Sequence, residues 1–296
     1  MKRIFAFIIG LVFALPVTAS VFLHHDGQGT VTRMLAMQLE SMLGQQVLVG
    51  QPLSAVTEGD VVVAIGKSSL QQACEASKGS VVAMFVGEEE FRLFEKSCRH
   101  SASAVFSGGS LDIRLGILAS FWEDPAPLSL FYYEPLLSDP REVTQYAKKH
   151  GLSLRLYPTS ADKVEALKVL QRAFTDSRLT LSLYDSTLFS SEFARDAIRM
   201  SFHRQKLLAP HSAAMVKAGA LFAVYSDLDA KLNWVLRAIN YYQASGQLPL
   251  ATYPTPLKIV FNPYLVKTYG LVLPTDVFLF NKFGVCPESG CEKALY

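Results

Sequence analysis

Gly66-Lys67-Ser68-Ser69 follows the valine-rich run Val61 to Ile65. A lysine and two hydroxyls at the start of a helix are groups that receive an anion or a carboxylate. The phosphate-loop motif would also need a glycine five residues before Gly66, and that position is Val61. The motif therefore fails, and anion or carboxylate recognition stands beside a plain helix cap as the two readings of Lys67, Ser68 and Ser69. His24-His25-Asp26 carries metal-ligand chemistry in type only, because adjacent histidines on a strand project to opposite faces. No metal site is assigned there. No G-x-S-x-G elbow and no H-E-x-x-H motif occurs, so neither a catalytic residue nor covalent chemistry is assigned, and the expectation is a protein that is not an enzyme.

Side chains suited to binding cluster at the expected ends of strands. Asp185 and Ser186 follow the run Leu179 to Tyr184, and His211 and Ser212 follow Leu207-Leu208-Ala209. Phe85, Tyr132, Tyr133, Tyr184 and Tyr225 each fall at or near such an end. Aromatic rings gathered there can line a cleft and stack on a flat or apolar ligand, although each alone is also an ordinary packing residue.

The elements that position these groups alternate. Short apolar runs at Val21 to Leu23, Val47 to Val49, Val61 to Ile65, Val81 to Val86 and Ala104 to Phe106 read as strands, separated by helix-period stretches such as Thr30 to Leu43 and Leu111 to Phe121. Trp122 to Pro127 breaks the pattern, since Pro125 and Pro127 continue neither a helix nor a central strand. It reads as a first crossing between two lobes. The alternation resumes with strands Leu128 to Tyr133, Leu152 to Leu156 and Leu179 to Tyr184, and with helices Asp139 to His150, Ala161 to Phe174 and Ser190 to His203. In Pro210 to Asp227, Ser212 is placed to cap the turn Ala213 to Lys217. Gly219 ends that turn at a position expected to need positive φ, and Ala220 to Tyr225 reads as a buried parallel strand. Helix Asp229 to Ala244 follows. The proline-stiffened segment with Pro254 and Pro256 then suits another crossing before strand Leu257 to Phe261. Strands alternating with helices throughout define an α/β fold built on parallel sheets.

The chain is 296 residues long and 50% hydrophobic, enough for a large core and two domains. Lys2 and Arg3, the apolar run Ile4 to Leu15 and small residues to Ala19 have the form of a secretory signal peptide over residues 1–19. The apolar run is too short to span about 30 Å of hydrocarbon. Cleavage after Ala19 removes the formal charge of +2, and no basic surplus points to nucleic acid. The four cysteines suit an oxidising compartment. Cys286 and Cys291 frame a turn and are expected to form a disulfide that pins the tail. Cys74 and Cys98 form a second candidate pair, with zinc binding as the competing reading.

Tyr184-Asp185-Ser186-Thr187, Val216 to Leu221, Tyr225-Ser226-Asp227, Val260-Phe261-Asn262-Pro263 and Tyr269 to Pro274, together with Val63-Ala64-Ile65-Gly66, resemble the ABC-transporter substrate-binding proteins that include tryptophan and tyrosine binders. The resemblance implies a type I periplasmic-binding fold: two Rossmann-like lobes joined by a three-segment hinge, closing on a small-molecule ligand. On that reading residues 20–124 with about 228–250 form one lobe, 127–226 with about 257–285 the other, and 286–296 a tail. Lys67, Ser68, Ser69, Phe85, Tyr132, Asp185, Ser186, His211 and Ser212 face the cleft, with Asp185 assigned to a ligand amino group. Pro125, Pro127, Tyr225, Ser226, Asp227, Pro254 and Pro256 lie on the hinge. The implied protein is a periplasmic monomer that needs no cofactor and hands its solute to an ABC permease in the inner membrane.

Two departures qualify this picture. Only Gly50 to Asp60 separates two of the first-lobe strands, too little for a crossover helix, so that lobe is trimmed. After Phe85, where the family favours a threonine- or serine-rich loop with a proline, the chain has Val86-Gly87-Glu88-Glu89-Glu90, whose acidic groups would repel a ligand carboxylate. Either Lys67 offsets them, or the ligand is something other than a free amino acid. The alternative function is a diverged binding-protein fold that acts as an envelope interaction or sensory partner, its lobes held shut or fused without ligand.

Overall fold

The computed structural model describes residues 19–27 and 29–292. The expected signal peptide lies outside these apart from Ala19. In chain order the elements are β1 (Val21–His24), α1 (Gly29–Leu43), β2 (Val47–Val49), β3 (Val61–Ile65), α2 (Gly66–Ala76), β4 (Ser80–Val86), α3 (Glu88–Phe94), β5 (Ala102–Phe106), α4 (Leu111–Ala119) and β6 (Leu128–Tyr133). There follow α5 (Pro140–Lys149), β7 (Leu154–Thr159), α6 (Lys163–Asp176), β8 (Leu179–Ser182), α7 (Ser191–His203), β9 (Leu207–Ala209), α8 (Ala213–Lys217) and β10 (Phe222–Tyr225). The described chain ends with α9 (Leu228–Ser245), β11 (Leu257–Phe261), α10 (Pro263–Thr268), α11 (Asp276–Phe283) and β12 (Val285–Pro287).

The first lobe is a parallel sheet in the order β2-β1-β3-β4-β5. Its inner strands are buried on both faces, which is why β3 and β4 read as unbroken apolar runs. α1 and α9 cover one face through Leu35, Leu39, Val235 and Ile239, and α2 covers the other through Leu70 and Ala73. The link from β2 to β3 holds a single 3₁₀ turn, Leu53–Ala55, with Val56 buried beside it. The crossover helix is absent, as the eleven-residue spacing requires.

The second lobe contains the parallel sheet β7-β6-β8-β9. Leu221 N–H donates to the Leu208 carbonyl at 2.8 Å and brings β10 alongside β9. The expectation that β10 is wholly parallel fails on its other side, where it pairs antiparallel with β11. The reason is topological: the chain leaves this lobe at the end of β10, forms α9 on the other lobe, and re-enters at the same end, so β11 must run back down. β12 then pairs parallel with β11. Cys286 is thus a fully buried strand residue and not part of a loose tail.

The lobe boundary also moves. Leu115, Ile117 and Leu118 of α4 pack with Leu128, Leu130, Leu181 and Phe222 of the second lobe. Pro125 and Pro127 therefore lie inside that lobe, between α4 and β6, and the first crossing is at Ser107 to Ser110. The second passes through Ser226 and Asp227, between β10 and α9, and the third through the segment from Tyr253 to Pro256, which holds both Pro254 and Pro256 and leads into β11. All three run side by side. Gly109 is so close to Val224 that a Cβ there would meet Val224 Cγ1 at 2.5 Å, with Leu257 Cδ1 at 3.8 Å. Ser226 Oγ donates to the Phe106 carbonyl at 3.4 Å, and Lys258 bridges to Asp227 at 2.7 Å. Thr252 joins the edge of β5, exchanging backbone bonds with Ala104 and Phe106 at 3.0 and 2.9 Å.

Candidate inter-lobe ligand site

The carboxyl ends of the two parallel sheets face each other, and the loops there meet across the cleft. Lys67, on the first turn of α2, donates through Nζ to Thr187 Oγ1 of the second lobe. Its ammonium also stands 5.4 Å from the ring centre of Tyr133 and 5.7 Å from that of Phe94, within cation–π range. Glu90, three residues into α3, has no exposed surface. Its Oε2 accepts from Gly87 N–H at 3.0 Å, closing the helix start. Oε1 accepts from Ser186 N–H at 2.8 Å and from Ser186 Oγ at 2.6 Å, both from the opposite lobe. Burial pushes the Glu90 carboxyl up, against the pull of these bonds. The hydroxyl of Tyr184 donates to the Phe85 carbonyl at 3.4 Å, and its ring covers Gly87, where a Cβ would lie 2.9 Å from Tyr184 Cβ.

Asp185 is 1% exposed and does not face an open cleft. Its Oδ1 accepts from the N–H groups of Thr187 and Leu188 at 2.7 and 3.1 Å, which fixes the turn that presents Ser186. Its Oδ2 is buried without a hydrogen-bond partner, and burial raises the carboxyl above the usual range. The role assigned to it at a ligand amino group is replaced by this structural one.

Phe85 sits where the β4–β5 register shifts, with φ +60°, a conformation that costs a non-glycine residue about 1–2 kcal/mol. Beneath its ring, 5.5 Å from the centre, lies the ammonium of Lys231 on α9, which donates to the carbonyls of Ser226 and Asp227 on the second crossing. Lys231 is 5% exposed, and burial lowers its pKa to about 8. A cleft residue and a crossing are thereby tied to the same side chain.

The remaining expected site residues separate. His211 packs between Tyr184 and Phe189, with ring centres 4.6 and 5.3 Å away, and Nδ1 donates to the Leu183 carbonyl at 3.1 Å. Burial, with the Arg114 guanidinium nearby, lowers its pKa to about 3 and keeps the ring neutral. Ser212 stands at the N-cap of α8 but makes no side-chain cap bond. Ser69 is fully buried; its hydroxyl accepts from Asp26 N–H at 3.2 Å, so it pins the β1 loop and does not face the cleft. Ser68 is exposed and accepts from Gln72 at 3.3 Å. Tyr132 packs into the second-lobe core, and its neighbour Tyr133 points toward Lys67 instead, because adjacent strand residues face opposite ways. Tyr225 is partly buried at the end of β10, where the second crossing begins.

Three contributors are absent from the sequence-based set. Glu90 was read there only as a repelling charge, and Tyr133 only as one aromatic among five. Arg114 is 2% exposed and caps the ends of β8 and β9, donating to the carbonyls of Ser182, Ala209 and Pro210 at 2.6, 2.7 and 3.2 Å. A lone arginine inside the apolar helix Leu111 to Phe121 was the available signal for it.

Beside these contacts an inter-lobe groove of about 370 Å³ opens to solvent, lined by Glu88, Glu89, Arg92, Asp112, Glu142 and Tyr146 among others. Burial raises the Glu89 carboxyl to about 7. Glu88 accepts from the Tyr253 hydroxyl at 2.9 Å and from Arg92 at 2.5 Å, so part of the groove's charge is already paired.

Both cysteine pairs are disulfides, Cys74–Cys98 and Cys286–Cys291, which leaves no thiolate for zinc among the described residues. His24 bonds to Gln72 and His25 to Thr32, at 2.8 and 2.7 Å. None of the described helices is long and apolar enough to cross a membrane.

No protein-family model matches the chain, and no curated protein matches it in sequence. Solved structures match it in shape. An ABC domain in complex with L-Trp from Streptococcus pneumonia superposes with a TM-score of 0.63 at 12% identity, over 91% of this chain and 99% of that one. A conserved domain protein from Vibrio cholerae gives 0.63 at 13% identity, over 91% and 99%. The ligand-free, open form of a substrate-binding protein with adhesive properties from Clostridium difficile gives 0.58 at 12% identity, over 92% and 99%. With its two parallel-sheet lobes and three adjacent crossings, the chain has the type I periplasmic-binding fold seen in ABC-transporter substrate-binding proteins.

Proposed function

We propose that the protein is a periplasmic solute-binding protein of an ABC-type uptake system, capturing a small solute between its lobes and presenting it to a permease. The observation that carries this reading is the meeting of two sheet ends across a cleft whose lobes are joined along one edge only. Ligands of open α/β sheets sit at the carboxyl ends of strands, and hinge closure around a solute needs this one-sided attachment. Tyr133, Tyr184 and Phe85 bring aromatic rings and Lys67 and Ser186 bring donors to the facing rims, and the separate groove beside them, lined by Glu88, Glu89, Arg92 and Tyr146 among others, is within the size range of small-ligand pockets. Closure follows from differential contacts: a solute that touches both lobes stabilises only the closed state. The reading is tested by equilibrium binding of amino acids, sugars and related solutes to the purified protein. A ligand that compacts the molecule supports it; no binding by any class at saturation speaks against it.

A second reading rests on a specific observation. Lys67 and Ser186 have partners in the opposite lobe, so the two rims touch each other at the cleft centre. A protein permanently in that state would serve as an envelope interaction or sensory partner. Identical scattering with and without every candidate solute favours it over transport.

A further inference from the structure

The turn fixed by Asp185 Oδ1 presents two donors side by side on the second-lobe rim, Ser186 N–H and Ser186 Oγ–H. A pair of converging donors is the arrangement that receives a carboxylate, and charge-assisted bonds of this kind are the strong ones. Here the carboxylate belongs to the opposite lobe: one oxygen of Glu90 takes both donors, while the other is held by Gly87 N–H on its own side. Two further contacts flank it, Lys67 to Thr187 and the Tyr184 ring laid over Gly87. Glu90 is fully buried at this junction, so its carboxylate lies within the closed interface and not on a solvated rim.

We propose that Glu90 is a built-in surrogate ligand, a carboxylate tethered to the first lobe that occupies the Ser186 donors and holds the cleft shut when no solute is present. The ground state of the protein is then closed, and opening breaks the Glu90–Ser186 pair. If the solute-binding reading above holds, a solute carboxylate enters this position by displacing Glu90; the latch itself does not depend on that reading.

Hydrogen exchange and small-angle scattering of the solute-free protein test the latch. In Glu90→Ala the Ser186 amide exchanges roughly ten- to a hundredfold faster, the factor expected for losing a hydrogen bond to a charged group. The scattering profile becomes more extended, and excess sodium acetate, supplying a free carboxylate, reverses both changes. Glu90→Gln, which keeps an acceptor oxygen, falls between Glu90→Ala and the native protein. Glu90 also closes the start of α3, so Ser186→Ala provides an independent variant: it removes one donor without touching that helix and still speeds exchange at residue 186. An unchanged residue-186 exchange rate and shape in both variants overturn the proposal, as does an opened Glu90→Ala that acetate leaves unaltered. No solute enters these measurements, so their failure would refute the latch and leave solute capture to its own binding test.

Discussion

His211 shows what a single burial does to the expected chemistry of a site. A histidine at a strand end facing a cleft should bind ligand and tolerate removal, but this one is a packing residue, wedged between two rings with its Nδ1 proton committed to Leu183. Its pKa in the fold, about 3, is below the ordinary 6.5. Folding therefore favours the neutral ring. That contribution is fully present above pH 6.5 and is lost as pH falls through 6.5 toward 3, reaching at most about 5 kcal/mol. Glu89, Glu90 and Asp185 have raised carboxyl pKa values and act with the opposite sign, since acidification relieves their burial. The difference between native protein and His211→Gln isolates the histidine. Urea unfolding at pH 7 and pH 5 should show the native protein losing more stability than the variant, and equal losses would refute the assignment. At Gly219, φ is +126° and a Cβ would stand 3.1 Å from Ile198 Cγ2. Gly219→Ala should cost about 1 kcal/mol or more in denaturant unfolding, as the expected need for positive φ implied.

At the scale of elements, legibility followed burial. β3 and β6 have the bounds read from the sequence, because strands covered on both faces leave continuous apolar runs between turn residues. β7 is displaced, Leu154–Thr159 against an expected Leu152 to Leu156, since it is an edge strand with exposed Arg155 and Pro158 and its apolar run marks no clear end. The sequence reading assigns no element to the residues of α11, and β12 runs into the stretch from residue 286 that was expected to be a tail. Eight residues with apolar side chains on several faces give no clean period, although Thr275 capping Phe278 N–H at 3.2 Å was a usable start signal. The first crossing was misplaced because two prolines mark a break in regular structure without saying which core lies on either side. Gly108-Gly109 marks the crossing. Gly109→Ala should drive its Cβ into Val224 and cost about 1–3 kcal/mol, the usual range for overpacking. Val224→Ala should return part of that loss in a double-mutant cycle, and strict additivity would contradict the contact. Arg114→Met should cost about 1–3 kcal/mol, because the carbonyls it caps at the ends of β8 and β9 stay buried and lose their donors.

For the whole molecule, the fold class was written in the alternation of elements, while the closed cleft was not. Glu90 and Ser186 are 96 residues apart, and nothing local pairs them. Read along the chain, Glu88-Glu89-Glu90 is a charge cluster hostile to a ligand carboxylate. Folded, its third member supplies a carboxylate of its own to the other lobe, and its first is paired with Arg92 and Tyr253. The departure from the family pattern and the closed state are the same feature. The central claim, that the lobes close on a small solute, is tested most directly by thermal unfolding of the protein against a panel of amino acids, sugars and other small solutes. At least one should raise the midpoint, with a hundredfold excess over its Kd adding about 2.7 kcal/mol. No shift from any solute at saturation would contradict solute capture.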